Sequence, residues 1–88
     1  MSAAGFEEEM RAAGRPVSEW SNGPGYRYGA HSHPYEKVLC CLEGSIVSHL
    51  PDGDARLSGG DRLVVRPGVE HSATVGPSGV RCAEAHGS

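Results

Sequence analysis

No apolar run in these 88 residues approaches the roughly 20 needed to span a bilayer as a helix, so a membrane partner is not expected. The N-terminus, MSAAGFEEEMRAAG, is acidic and lacks the basic and apolar segments of a secretory leader. Arginine and lysine are scattered, the net charge is -3 and the pI is near 5.9. This argues against a nucleic-acid-binding surface, which is normally basic. There are three cysteines, an odd number, with Cys40 and Cys41 adjacent and no zinc-ribbon spacing. Adjacent cysteines rarely make a relaxed disulfide, so the expectation is a reduced, cytoplasmic protein. There is no Gly-x-Ser-x-Gly elbow, dinucleotide fingerprint or Walker motif. Internal repeats, linkers and low-complexity tracts are also missing.

What is present is one domain's worth of chain. A domain this small buries only part of its surface, and a bound metal or a partner subunit would help to stabilise it. Residues 3–13 read as a short helix ended by Gly14 and Pro16. Glu7, Glu8 and Glu9 are expected in its first turns, as a solvated face that suits the positive end of the helix dipole. From Pro16 onward short apolar segments alternate with turn dipeptides such as Asn-Gly, Pro-Gly, Asp-Gly and Gly-Gly. The pattern predicts about eight short antiparallel strands, arranged as a sandwich or barrel. The 13 glycines and six prolines fit that many turns. The expected organisation is a helix over 1–14 followed by an all-β domain over 15–88.

The chemistry concentrates in GAHSHPYEKVLCCLEG, residues 29–44. On a strand, His31 and His33 would share one face about 6.6 Å apart, close enough for two imidazoles to converge on one ion. Alone, such a pair is an ordinary surface feature. His71 follows GGDRLVVRPGVE, a turn, a short strand and a second turn, and that arrangement can deliver a third imidazole from a neighbouring strand. Three histidines with further positions open resemble a catalytic rather than a structural metal site.

These residues also carry a family resemblance. Gly25, His31, His33 and Gly44 fall at the spacing of the first cupin motif, with Lys37 where the family has glutamate. Gly60, Gly68 and His71 fall at the spacing of the second. There the family's proline is Arg66, with Pro67 beside it, and its asparagine is Val75. The chain therefore resembles a small single-domain cupin over roughly residues 16–86. The resemblance implies an antiparallel double-sheet β-barrel, or jelly roll, with a metal in its mouth. It assigns His31, His33 and His71 as ligands to one divalent ion (Zn, Fe, Mn or Ni), a small-molecule substrate or ligand as partner, and a homodimer as assembly. Cupins of this kind include dioxygenases, isomerases, lyases and biosynthetic accessory enzymes.

The lysine leaves three arrangements open. The ion has three protein ligands only; or Glu36 replaces the missing glutamate through a bulge; or the site has decayed and the cavity takes an organic ligand alone. Lys37 itself has two readings: an inward general base or carboxylate-binding group, or a side chain that snorkels to the rim. Cys41 and Tyr35 share the face of the histidines by alternation and are candidate pocket walls. Cys40 and Cys41 also read as small apolar fillers. His49 and His86 lie outside both motifs and read as surface or satisfied histidines. Trp20 reads as core or subunit contact. The expected function is a metal-dependent enzyme acting on a small polar organic molecule; a non-catalytic binding module or a subunit with a vestigial site is the alternative.

Overall fold

In a computed structural model, which describes residues 3–87, the chain opens with helix α1 (Ala3–Ala12) and continues through six strands. These are β1 (Val17–Asn22), β2 (Arg27–His31), β3 (Lys37–Leu50), β4 (Gly53–Ser58), β5 (Arg62–Val65) and β6 (His71–His86). All strand pairings are antiparallel.

Six strands stand where eight are expected, because two pairs of short segments fuse. KVLCCL and SIVSHL form the single strand β3, which runs straight through Glu43-Gly44. EHSATV and VRCAEA form β6 in the same way. Both long strands bend instead of turning. The β3–β6 register shifts between Cys41 and Glu43 and again between Gly44 and Ile46, and the extra residues of such bulges sharpen a strand's bend. Gly44 has φ 75°. A β-carbon there would lie 1.9 Å from the carbonyl oxygen of Gly79 on the neighbouring strand, so only glycine fits. The other glycines of the two motifs, Gly25, Gly60 and Gly68, also have positive φ.

The bends split the sheet into two layers. The first half of β3 pairs with β5, the second half with β4. The last part of β6 pairs with β1, its first part with β2. One layer is therefore β1-β6-β3-β5 and the other β2-β6-β3-β4, sharing two continuous strands. This is an all-β jelly-roll-like architecture whose sheet wraps around without closing.

Alternation along β3 supplies two separate cores. Leu39 and Cys41 point between the layers, where they meet Ile46, Leu57, Val75, Val80 and Cys82. Val38, Cys40 and Leu42 point to the outer face and meet Phe6 and Met10 of α1. Phe6 and Met10 are one helical turn apart and so share a face. Gly14, at φ 74°, ends the helix, and the Arg15 amide donates to the Met10 carbonyl. The first turn of α1 carries no acidic residue. Because the helix starts at Ala3, Glu7–Glu9 lie beyond that turn, where they give an exposed or half-exposed face. Glu9 pairs with Arg62 at 2.5 Å, which places the Arg62 guanidinium over the Phe6 ring.

Candidate metal and ligand site

A cavity of about 340 Å³ opens between the two layers. His31 ends β2 and His71 starts β6, and the two are directly opposed across the ladder. His33 lies just past β2 in the 32–36 connection rather than on the strand itself. Its carbonyl accepts a bond from the Gly68 amide at 2.7 Å, so the loops bearing the two motifs are tied to each other. The three ring centroids lie 4.3–5.3 Å apart. One ligand nitrogen from each ring falls within 4.8 Å of the others.

Hydrogen bonding decides which nitrogens are free. His31 Nδ1 lies 2.6 Å from the Gly29 carbonyl and His71 Nδ1 2.9 Å from the Val69 carbonyl. A carbonyl only accepts, so each Nδ1 is the protonated nitrogen, and Nε2 is the one that carries the lone pair in a neutral ring. His33 Nδ1 lies 3.2 Å from the Tyr35 hydroxyl, whose ring stacks on the imidazole at 15°. Among the described residues, Nε2 of His33 and Nε2 of His71 are buried polar atoms without a partner. Leaving such atoms unpaired is costly, and a divalent cation would satisfy both at once. The fixed Nδ1 bonds orient the rings as the outer partners of metal-binding histidines do. Burial, then the charge of Lys37, then the neighbouring imidazoles hold His33 below its ordinary pKa. That direction favours the neutral ring, the form in which a histidine binds a metal.

Lys37 points into this cavity and lies 3.4 Å from the Glu84 carboxylate, with both side chains only 15% exposed. Glu84 also accepts from Trp20 Nε1 at 2.6 Å and from His86 Nε2 at 2.8 Å. Burial alone would raise the carboxyl's pKa. The His86 bond, the Lys37 charge and the Trp20 bond outweigh it and hold the pKa below the usual value.

The other candidate residues separate. Glu36 turns away and pairs with Arg15 at 2.8 Å. Cys41 faces inward, as its parity requires, but is fully buried in the inter-layer core and is not among the residues lining the cavity. Tyr35 packs between His33 and His86 rather than on the cavity wall. His49 is bonded at both nitrogens, to Asp54 and Thr74, and His86 is bonded to Glu84. Trp20, expected as core or subunit contact, packs against the inter-layer core, also lines the cavity and meets Tyr28 edge-to-face at 5.5 Å. Glu84 escaped sequence reasoning altogether. The available signal was parity: it shares the inward face of Val80 and Cys82 on β6.

No curated protein matches this chain. Among solved structures it is similar to an RmlC-like cupin from Shewanella frigidimarina NCIMB 400, with 22% identity, a TM-score of 0.73, and coverage of 82% of this chain and 64% of that one. It is similar to the Schizosaccharomyces pombe Cnp3 cupin domain at 17% identity and TM-score 0.77, covering 84% and 56%. It is also similar to the polyketide cyclase RemF from Streptomyces resistomycificus at 25% identity and TM-score 0.72, covering 82% and 54%. The chain thus spans between half and two thirds of the length of these three proteins. Residues 21–83 match the AraC-like ligand binding domain. With most of its length inside that match and a cupin architecture around it, the chain belongs to the AraC-like ligand binding domain family, of cupin type.

Proposed function

We propose that this domain holds one divalent metal ion through His31, His33 and His71 and uses it to bind a small organic molecule in the cavity between the layers. The observation that carries this reading is the pair of buried, unpartnered Nε2 atoms beside a third imidazole of fixed tautomer. A bound ion would supply Lewis acidity to an oxygen of the ligand. The chain's own residues supply the rest. Gly29 and Val69 carbonyls and the Tyr35 hydroxyl orient the imidazoles, and Trp20, Tyr28, Leu39 and Ile46 line the cavity beside them. Lys37, paired with Glu84 at 3.4 Å, lines the cavity beside the histidines. Glu36, held by Arg15, has no part in the site. Three neutral imidazoles accept Zn, Fe, Mn or Ni, and availability selects among them.

A catalytic step at this site is the second reading, favoured by the 25% identity to a protein named as a polyketide cyclase. The reading includes a reduced, cytoplasmic setting, supported by the burial of all three cysteines. It also includes a homodimer, supported by the unpaired outer edges of β1 and β4.

The test is metal content of protein purified without chelator, with thermal stability measured on adding each of the four ions. About one ion per chain and a raised melting temperature are expected, and His71→Ala should lose both. No bound metal, with stability indifferent to all four ions, would end the metal reading.

A further inference from the structure

The charges around the histidines point to the kind of molecule the cavity takes. Of the acids in the described residues, Glu84 alone lines the cavity. Its carboxylate is already engaged by Lys37, Trp20 and His86. No acid is left to face the three imidazoles, which are neutral as ligands. An ion held there keeps its full double charge beside a cavity with apolar walls. Isolated charge in such surroundings is unfavourable unless a counter-charge arrives. Lys37 is paired with Glu84, but its ammonium carries three hydrogens and can donate to a second carboxylate beside the histidines. Most of the remaining lining is apolar: Trp20, Leu39, Ile46, Val65 and Ala73. Arginine is missing from the lining, and arginine forks and backbone nests are the usual means of gripping phosphate. A volume of about 340 Å³ lies at the small end of ligand pockets.

Resting on the metal reading above, we propose that the site takes a compact organic monocarboxylate. Its carboxylate lies at the histidine and Lys37 end, and its apolar or aromatic body lies against Trp20, Leu39 and Ile46. Lys37 is the residue that sets the preference for an anion.

Trp20 is the only tryptophan in the chain and lines the cavity, so its fluorescence reports binding. Zinc content of the wild type is measured first. The zinc-loaded protein is then titrated with benzoate, benzyl alcohol, acetate and phenyl phosphate. Benzoate should bind at least tenfold more tightly than each of the other three. Lys37→Met and Lys37→Gln should keep their zinc, lose at least tenfold in benzoate affinity, and bind benzyl alcohol within twofold of wild type. Two substitutions guard against one that fails to fold. A wild type that takes no zinc overturns the metal reading and this one with it. Zinc-loaded protein that binds benzyl alcohol or phenyl phosphate as well as benzoate overturns the ligand class alone. So does a benzoate affinity unchanged in both Lys37 variants.

Discussion

The Lys37–Glu84 pair gives the most direct check on the cavity's electrostatics. Glu84→Ala removes the partner of a lysine ammonium that is 15% exposed and also strands the Trp20 indole N–H. Breaking a buried ion pair by deleting one member costs about 3–5 kcal/mol. Here the cavity admits water, which recovers part of that, and the lost indole bond adds about 1 kcal/mol. The net expectation is about 3 kcal/mol. An 88-residue domain has roughly 4–13 kcal/mol in total, so the variant should be conspicuously weak. Its melting temperature should fall by roughly 12–24 °C. In urea the midpoint should fall by about 2 M for a slope near 1.5 kcal/mol per molar. Far-ultraviolet circular dichroism should follow the transition, since Trp20 fluorescence is itself perturbed by the substitution. Lys37→Met leaves Glu84 with two donors and should cost less than about 1 kcal/mol. The double variant should regain at least 1 kcal/mol relative to Glu84→Ala, because no unpaired ammonium remains. If Glu84→Ala stays within about 0.5 kcal/mol of wild type, or the double variant is no better, the pair is not the internal contact described above.

Gly44→Ala should cost more than 3 kcal/mol or prevent folding, since its β-carbon would meet the Gly79 carbonyl oxygen at 1.9 Å with φ at 75°; soluble yield and urea midpoint read this. The three thiols should react with a chromogenic disulfide only after unfolding. Burial pushes the Cys82 thiol up to about 12 and raises Cys41 as well, so rapid labelling of native protein would contradict that packing. Glu84 is held below its ordinary value of 4.5, so its contribution is fully present above that pH and is lost as pH falls through the lower folded value. Acid titration of stability should therefore be shallower below pH 4.5 in Glu84→Gln than in wild type, and parallel curves would argue against this role.

Much of the site was readable because its parts are either local or tied to rigid spacing. His31, His33 and the glycine at 44 lie within one short stretch, and each glycine of the motifs answers a backbone conformation that other residues resist. The strand count was harder to read. Glu43-Gly44 and Gly76–Gly79 resemble turns in sequence, yet β3 and β6 run on through them, the pairing stepping from Gly44–Val80 to Ile46–Val75. The histidine pair also converges for a different reason than simple alternation. His33 has left the strand, and its position depends on the Gly68 amide. Glu84 lies far along the chain from both motifs, so only its pairing register, opposite Leu39 on β3, brings it to the cavity. Trp20 packs against the core, as an apolar side chain on the first strand suggests, but its place on the cavity wall and its indole bond to Glu84 are tertiary facts.

The sharing of β3 between two cores limits how this chain can change length. Val38, Cys40 and Leu42 serve the helix side while Leu39 and Cys41 serve the space between the layers. Inserting or deleting one residue in 38–42 would exchange the two sets, presenting each core with side chains cut for the other and swinging Lys37 out of the cavity. Point substitutions can be absorbed there one at a time, but a change of frame cannot. Insertions and deletions that preserve both packing and site are therefore confined to connections such as 51–52, and not 59–61, where Gly60 and Asp61 are bonded to Cys41 and Asp61 also to Ser58.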